Sequence, residues 1–547
     1  MIKLFVSMAV FLQLLVDFYA TGSVDALILF ILYSLIMFLV LTLLNRWHLF
    51  LSLPALIVSA LIVPYFVLTG SHVSYNVILS ILESDYEEST ELVGSVFFIK
   101  YLVIFLIISV SPFFVSKIKI IRNLEFNVDR KVALCMFPVV SVVLYLYSSM
   151  VLVNNTRSVI YSDGIYSYFP LKHSILLNRT LVESKFLIDD YRAMKINLDV
   201  IETDSIGNSL ILVIGEAARK KSMQIYGSSY QTTPRLKEIA DASPDKVVVF
   251  HHVVSVAPFT RVAVPSMVSM AGSRRFDEIA STPSVYKIIN ETEIESTFLA
   301  NAKESRFGDA LINEMIKDND AVVTHDGRYD MDLMGPLAEA INIRQEINKL
   351  ITIQLSGSHY RYNKRYPETW NCFLPDTPDS NYLSSIRYTD YVLSELIELV
   401  DLSSKPYAII YTSDHGEYVN EDGDQIYGHG FKKMTRNEID IPLVIVFNEA
   451  FLQKNKKLVM SLNRSTSKYI SLDNISHTIL GVLGVSEATY YDASYDLGSE
   501  LMKEHKVYVI NRDMNGSEIS EYNFEESKLG GEKDNITMKG ECQIKPH

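Results

Sequence analysis

The sequence predicts two parts of different fold class: a membrane domain of five helices before about residue 153, and an α/β domain with a mostly parallel central sheet after about residue 206. Two observations predict this division. Apolar residues are concentrated in the first part, in segments long enough to cross a bilayer. In the second part, apolar strand patterns alternate with helical patterns, which is typical of an α/β fold with helices on both faces of the sheet.

Five apolar segments are candidates for membrane-spanning helices, because each is close to the ~20 residues that a spanning helix needs. They lie at 3–20, 25–44, 48–69, 97–115 and 132–152. Lys3 stands at the start of the first segment, and further Lys and Arg occur between the second and third and above all between the fourth and fifth, whereas the other two loops have none. Because basic loops stay in the cytoplasm, this pattern predicts a cytoplasmic N-terminus and an outer location for everything after residue 153. In a bacterium with two membranes, the chain is then an inner-membrane protein with a periplasmic domain.

The second part is expected to begin with a linker that contains interfacial helices, at 154–205, and to end in a polar tail at 513–547. Between them, the domain at 206–512 has helical patterns at 332–349 and 383–401. Its apolar strand candidates are 210–214, 247–254, 296–300, 350–355, 407–412 and 441–447. Sheets of this kind bind their ligands at the carboxyl ends of the strands.

Charge and cysteine content exclude some classes of function. The net charge of −14 argues against a nucleic-acid partner, since binding to phosphate backbones needs a basic surface. Cys135, Cys372 and Cys542 are widely separated and form no CxxC motif, so neither a disulfide framework nor a zinc knuckle is expected.

Two of the predicted strands end in side chains that bind metals. The strand at 210–214 is followed by Glu216, and the strand at 407–412 is followed by Asp414 and His415. Taken alone, Glu216 could be the negative charge that often begins a helix. An Asp-His pair at a strand end is more specific, and carboxylate and imidazole groups are ligands that zinc accepts. We therefore favour a metal site at this edge of the sheet over a surface turn.

Three further residues are candidates for chemistry beside such a site. His359 follows a strand and a glycine turn, and His429 is flanked by glycines. Each could be an ordinary loop residue, but with the Asp-His pair they form a plausible metal or phosphate-binding cluster. Thr260 can act as a nucleophile if a metal lowers the pKa of its hydroxyl. It could equally serve as a helix N-cap, and the two roles are compatible.

These segments resemble the phosphoethanolamine transferases of Gram-negative inner membranes. The similarity extends over nearly the whole chain, and its most specific parts are the runs at 212–219 and 232–236. The segments at 260–267, 414–417, 357–359 and 428–430 are similar to the nucleophile, zinc-ligand and substrate-side histidine segments of that family. The resemblance implies a five-span membrane domain joined to a periplasmic catalytic domain of the alkaline phosphatase/sulfatase type.

The resemblance also implies a two-step reaction. Thr260 would attack the phosphate of phosphatidylethanolamine and release diacylglycerol, and an acceptor on lipopolysaccharide, in lipid A or the core, would then take the phosphoethanolamine group. Other partners are membrane lipids, and the chain is expected to be a monomer. The implied ligands of Zn²⁺ are Glu216, Thr260, Asp414 and His415. His359 and His429 would neutralise charge or move protons, and the implied substrate-binding residues are Asn301, Arg306 and Glu417.

Some positions depart from the family pattern and leave the acceptor open. Val256 and Ser266 stand where members that modify lipid A have disulfide cysteines, Gln354 stands where some members have histidine, and Ser80 replaces an expected asparagine. Acceptors on lipid A, on core sugars or on periplasmic glucans all remain compatible with the sequence.

Three other functions are alternatives. A glycerol-phosphate transferase of the lipoteichoic acid synthase type shares the architecture, but the runs at 232–236 and 357–359 favour ethanolamine. A hydrolytic sulfatase is disfavoured because its cysteine-based nucleophile motif is missing. A catalytically silent membrane scaffold would not need the complete set of candidate residues.

Overall fold

The computed structural model describes part of the chain. The described residues are 99–106, 131–132, 134–136, 138–140, 187–196, 200–201, 207–301, 310–325, 327–421, 423, 427–430, 434–487, 489–510, 519–522 and 536–539. The chain divides into two compact units, the first comprising 1–183 with 512–517 and the second comprising 184–511 with 518–547.

In the first unit, the described residues at 99–106 and within 131–140 are helical. They belong to the fourth and fifth predicted spans, while the spans predicted at 3–20, 25–44 and 48–69 lie outside the described residues. Among the helices that the structure describes, none combines the length and apolar character needed to cross a membrane.

The second unit is built around a seven-stranded sheet. Its strands are β1 (Ser209–Gly215), β2 (Val247–Phe250), β3 (Glu295–Ala300), β4 (Ala321–Thr324), β5 (Lys349–Gln354), β6 (Tyr407–Ser413) and β7 (Leu443–Phe447). Their order across the sheet is β2-β7-β6-β1-β5-β3-β4. All neighbouring pairs from β6 to β4 are parallel, and β7 is antiparallel to both of its neighbours. The predicted α/β class with a mostly parallel sheet is therefore confirmed.

Helices accompany the strands along the chain. They are α1 (Pro234–Ala242), α2 (Thr260–Val268), α3 (Val285–Ile289), α4 (Ala310–Ile316), α5 (Met334–Asn342), α6 (Pro378–Asp401), α7 (Glu449–Lys454), α8 (Lys456–Ser465) and α9 (Asn474–Leu483). Short strand pairs complete the unit: 200–201 with 486–487, 252–254 with 469–471, 373–374 with 537–538, 418–419 with 427–428, and 508–510 with 519–521.

The core explains why β1 is an unbroken apolar run. All seven residues of β1 are buried, because the strand lies near the middle of the sheet and both of its faces are covered. Ile211 and Val213 belong to the cluster that includes Ile386 and Leu393 of α6, while α9 contacts β1 and α2. At roughly 1.5–3 kcal/mol for each fully buried aliphatic side chain, this packing fixes the strand whose end carries Glu216.

Three predicted elements differ from the observed ones. The strand expected at 247–254 is interrupted, because 252–254 leaves the sheet and pairs in parallel with 469–471. The helix expected at 332–349 ends at Asn342, since the chain must turn before β5 begins at Lys349. The short edge strand β4 was not predicted, because Val322 and Val323 are exposed and leave no alternating apolar pattern.

The spacing of the cysteines predicts no disulfide framework, and it does not indicate the one disulfide that involves Cys372 among the described residues. This residue is buried and disulfide-bonded, whereas Cys135 is free. Sequence spacing did not reveal the bond because it depends on chain segments brought together by the fold. Residues 537–538, in the predicted tail, pair with 373–374, and Lys539 N donates a 2.8 Å hydrogen bond to Cys372 O.

One end of the predicted linker is part of the second unit. Helix 187–193 carries Tyr191, which is 1% exposed and donates a 2.9 Å hydrogen bond to Ser284 Oγ. The guanidinium of Arg192 binds both carboxylate oxygens of Glu314 on α4 at 2.8 Å. These contacts hold helix 187–193 against the domain just before β1 begins.

A buried carboxylate joins α6 to α1 and makes stability depend on pH. Asp390 accepts hydrogen bonds from Arg235 N and Leu236 N, both at 2.9 Å, and burial raises its pKa to about 6. Because the folded pKa lies above the unfolded one, this group's contribution to the free energy of unfolding is full below about pH 4 and is lost as the pH rises through about 6.

Asp390→Asn is therefore expected to remove a pH dependence on the order of 3 kcal/mol between pH 4 and 7. Denaturant titrations of wild type and variant across this range check the difference. Asp241→Asn, at an exposed position on α1, is the control and should leave the pH profile unchanged. Parallel profiles for wild type and Asp390→Asn would contradict the assignment.

Candidate metal centre

The ends of β1 and β6 bring the predicted metal ligands together. Gly215 and Ser413 are register partners in neighbouring parallel strands, so Glu216 and Asp414 leave the sheet side by side. His415 follows directly, and its Nε2 lies 3.3 Å from Glu216 Oε1 and 3.5 Å from Asp414 Oδ2. All three side chains are buried. The structure brings these residues together at one edge of the sheet, as the sequence predicted.

Thr260 lies at the same point. It is the first residue of α2, and its Oγ1 is 3.2 Å from Glu216 Oε2 and 3.3 Å from His415 Nε2. Phe259, the residue before it, has an extended backbone, so the chain approaches the sheet edge and then turns into the helix. The N-terminal end of α2, which carries a partial positive charge, thereby lies beside the Thr260 hydroxyl, while the amides of Val262 and Ala263 donate to Phe259 O at 3.3 and 3.1 Å.

The residues fit a bound cation. Within the described part of the chain, Glu216 Oε1 and Asp414 Oδ2 are buried and make no hydrogen bond. Ligand atoms of Glu216, Asp414 and His415 all lie within 4.8 Å of one another. Two carboxylates with unsatisfied oxygens are costly inside a protein unless a cation compensates them. Carboxylates, one imidazole and a nearby hydroxyl form a donor set that suits zinc.

Neighbouring groups orient these ligands. Asp414 Oδ1 accepts hydrogen bonds from Ala217 N at 3.2 Å and His415 N at 2.7 Å, which leaves Oδ2 directed at the cluster. His415 Nδ1 donates to Gly416 O at 2.7 Å, since a carbonyl oxygen can only accept. The lone pair of His415 is therefore on Nε2, the nitrogen that faces the two carboxylates.

The pKa values of the two carboxyl groups move apart. Burial raises the pKa of Asp414 to about 7, and the negative charge of Glu216 adds to this rise. For Glu216, burial acts in the same direction, but in the absence of a cation it is outweighed by the hydrogen bond and charge of His415 in its protonated form, which hold the pKa of Glu216 below the usual range. A bound cation would favour the ionised form of both.

The two other predicted histidines lie beside this cluster. The ring of His429 is 4.1 Å from that of His415 and 5.9 Å from that of His359, centre to centre. His429 Nδ1 contacts Glu417 Oε2 at 2.7 Å, and Glu417 Oε1 accepts a 2.8 Å hydrogen bond from Tyr362 OH. His359 Nδ1 donates to Tyr360 O at 2.7 Å. Donor groups of His415, Glu417 and His429 also lie within 4.8 Å of one another and form a second candidate metal group.

The remaining predicted site residues are only partly placed. Asn301 directly follows β3 and is buried. β3 is the neighbour of β5 in the sheet. Arg306 lies outside the described residues. Glu417, predicted to bind substrate, contacts His429 and Tyr362. Sequence reasoning missed Tyr362, which begins the short 3-10 helix Tyr362–Lys364 and is identified only by its contact with Glu417.

Comparison with known proteins shows which family the chain belongs to. The profile of the sulfatase family matches residues 208–485, slightly more than half of the 547 residues. The chain belongs to the sulfatase family. The matched region contains the central sheet and all the candidate site residues named above, so its fold is the alkaline phosphatase/sulfatase-type α/β fold.

Within the sulfatase family, similar curated proteins are phosphoethanolamine transferases. EptC of Escherichia coli K12 is 24% identical over 311 residues, covering 52% of this chain and 53% of EptC. EptA of the same strain is 27% identical over 322 residues, covering 54% of this chain and 57% of EptA. The chain thus spans about half the length of the curated relatives it matches. The resemblance expected from the motifs is confirmed.

Solved structures show the same fold. The integral membrane lipooligosaccharide phosphoethanolamine transferase A of Neisseria meningitidis aligns with a TM-score of 0.65 at 20% identity, covering 90% of this chain and 96% of that one. The periplasmic domain of Escherichia coli EptC, solved in complex with Zn, aligns with a TM-score of 0.53 at 22% identity, covering 60% and 96%. At such identities the likeness establishes the fold.

Proposed function

We propose that this protein transfers phosphoethanolamine from phosphatidylethanolamine to a lipopolysaccharide acceptor, in lipid A or the core, through a covalent intermediate on Thr260. The observation that carries the proposal is the contact of Thr260 Oγ1 with Glu216 and His415, inside a cluster whose buried oxygens lack hydrogen bonds. The names of the similar curated relatives supply the group that is transferred.

The metal in this proposal is Zn²⁺, held by Glu216, Asp414, His415 and the Thr260 oxygen. When bound, it lowers the pKa of the Thr260 hydroxyl and offsets negative charge on the phosphoryl group. The structure of a related domain in complex with Zn supports this choice, as does the donor set.

The side chains carry the two steps as follows. Thr260 Oγ1 forms a bond to phosphorus, and the bond from phosphorus to the glycerol oxygen breaks, so diacylglycerol leaves as an alcohol after taking a proton. An acceptor hydroxyl then loses its proton as its oxygen bonds to the same phosphorus, the bond from phosphorus to Thr260 Oγ1 breaks, and Thr260 regains its hydroxyl proton. His359 and His429 are the proton carriers in this scheme, because in each ring the Nδ1 contact leaves the lone pair on Nε2. The partial positive charge at the N-terminal end of α2 stabilises the phosphoryl oxygens.

The proposed location is the bacterial inner membrane with a periplasmic catalytic domain. The five predicted spans within 1–153 and the basic loops between them support it. The disulfide at Cys372 supports an oxidising compartment for the catalytic domain, independently of the loop charges. In this arrangement 154–205 links the membrane to the catalytic domain at 206–512, the tail is 513–547, and the donor lipid need not leave the bilayer. We assign Asn301 and Arg306 to the donor side of the site.

Mass spectrometry of lipopolysaccharide tests the function in cells. A strain that expresses the wild-type chain should carry phosphoethanolamine on lipid A or the core, and a strain that expresses Thr260→Ala should not. Addition only to periplasmic glucans would move the acceptor to that class. Phosphoglycerol in place of phosphoethanolamine, or no change in any glycoconjugate, would contradict the proposal.

Glu417→Gln is expected to lower kcat by about 10- to 100-fold, because the carboxylate fixes the tautomer and orientation of His429. The KM for the donor lipid should change little, since the observed partners of the Glu417 carboxylate are His429 and Tyr362. Steady-state kinetics with phosphatidylethanolamine vesicles provide the measurement, with Glu421→Gln as the control. Glu421 pairs with Arg219 at 3.2 Å, away from the two histidines.

Metal content measured on the same variant distinguishes two roles for Glu417. A positioning role leaves the metal content equal to that of wild type. Loss of one metal ion per chain would instead assign Glu417 to the second candidate metal group. Wild-type kinetics for Glu417→Gln would exclude both roles.

A further inference from the structure

We propose that Asp330 is a positioning residue for the active site, an inference that rests on the proposed function. Asp330 holds the loop of residues 355–360, which supports the backbone of Glu216 and presents His359. Asp330 is 2% exposed and begins the short helix Asp330–Leu333 before α5. It does not belong to either of the candidate metal groups found among the described residues.

Four consecutive amides of the loop show how it is held. The first and last bind the end of β1: Leu355 N donates to Ile214 O at 2.9 Å, and Ser358 N donates to Glu216 O at 2.8 Å. The two between them bind the carboxylate of Asp330. Ser356 N donates to Oδ1 at 2.8 Å and Gly357 N donates to Oδ2 at 2.9 Å. Gly357 is buried and Ser356 is half-buried, so losing the carboxylate would remove the acceptor from two amides that are largely shielded from water.

The loop is packed directly against Glu216. Gly357 has φ of +52°, and a Cβ atom added to it would lie 2.7 Å from both Glu216 N and Glu216 O. The two backbones therefore touch with no room for a side chain, so a shift of the loop must shift the candidate metal ligand. The same loop ends in His359, which links its conformation to the proton carrier as well.

A cation holds the other end of the loop. Arg365 is 8% exposed, and its Nε donates to His359 O at 3.0 Å while its Nη2 donates to Tyr360 O at 3.2 Å. Ser385 Oγ on α6 also donates to Ser358 Oγ at 2.8 Å. The carboxylate of Asp330 thus accepts from amides near one end of the loop, and the guanidinium of Arg365 donates to carbonyl groups at the other end. Hydrogen bonds to charged groups are stronger than those between neutral groups.

Asp390 offers a matched control. Like Asp330 it is almost fully buried and binds two consecutive backbone amides, but those amides belong to α1, away from the sheet edge. In either position asparagine supplies a single acceptor oxygen for two amides, so the two substitutions impose a similar structural defect.

The experiment compares Asp330→Asn with Asp390→Asn in the full-length protein. Zinc affinity is measured by competition with a chromogenic chelator, and the rate is measured as diacylglycerol release from phosphatidylethanolamine vesicles. Asp330→Asn should weaken zinc affinity and lower kcat by about 10- to 100-fold each, with KM unchanged. Asp390→Asn should stay within about twofold of wild type in both. Equal losses in the two variants would overturn the proposal, because they would show a general folding defect.

A double-mutant cycle with His359→Ala tests whether Asp330 acts through that histidine. If it does, the loss of kcat in the double variant is smaller than the product of the two single losses. Independent, multiplying losses would overturn this part of the proposal. Should Asp330→Asn fail to fold, Arg365→Lys tests the other end of the loop, with the same expected losses.

The zinc measurement separates failure of this proposal from failure of the proposed function. A wild-type chain that releases no diacylglycerol refutes the function, while the relative zinc affinities of Asp330→Asn and Asp390→Asn still decide the role of Asp330.

Discussion

Thr260→Ala is expected to abolish transfer, with a loss of rate of at least about 10⁴-fold, as is typical when the nucleophile of a covalent mechanism is removed. Alanine lacks the oxygen that would bond to phosphorus, and no other hydroxyl is recorded in contact with both Glu216 and His415 among the described residues. Thr260→Ser keeps a hydroxyl at the same helix position and should retain a measurable fraction of the activity. Diacylglycerol release from phosphatidylethanolamine vesicles provides the measurement.

Ser266→Ala is the matched control for the nucleophile. Ser266 lies on the same helix and is fully buried, and its Oγ makes no hydrogen bond within the part of the chain that the structure describes. Its loss should therefore leave the rate within about twofold of wild type. Comparable rates for Thr260→Ala and Ser266→Ala would exclude Thr260 as the nucleophile.

Removal of the metal is expected to have the second large effect, on activity and on stability together. Chelation should stop transfer and lower the melting temperature, because the folded protein binds the metal and the unfolded chain does not. At a metal concentration 1,000-fold above Kd, this linkage is worth about 4 kcal/mol. Thermal unfolding with zinc and with chelator measures the effect, and restored zinc should restore both properties.

The stability of Asp414→Asn relative to wild type is expected to depend on whether zinc is bound. With zinc present, the variant should be less stable than wild type, since it loses a ligand. With chelator present, it should be at least as stable, because asparagine removes a buried carboxylate that is repelled by the charge of Glu216. A variant that is less stable than wild type by the same amount in both conditions would show that Asp414 binds no cation.

Much of the candidate site could be predicted from sequence because its residues follow directly from strands. β1 and β6 are buried apolar runs, and such runs end where a parallel sheet binds its ligands, so Glu216, Asp414 and His415 could be assigned to one edge. Thr260 could be predicted because it begins a helix. In each case a local pattern determines the position of the side chain.

The supporting residues could not be predicted in this way. Tyr362 and Asp330 act across 55 and 26 residues of sequence, on Glu417 and Ser356 respectively. Such contacts depend on how loops fold back onto the sheet, and no periodicity in the sequence encodes them. The disulfide at Cys372 escaped prediction for the same reason, since strand pairing brings residues 537–538 beside 373–374 only in the folded chain.

Peptide mass spectrometry of the zinc-loaded protein, after incubation with phosphatidylethanolamine in the absence of acceptor, tests the central claim most directly. The expected result is a phosphoethanolamine group on the peptide that contains Thr260, present in wild type and Ser266→Ala and absent in Thr260→Ala. An unmodified Thr260 in protein whose zinc content has been confirmed, or the same group on a different residue, would contradict the mechanism.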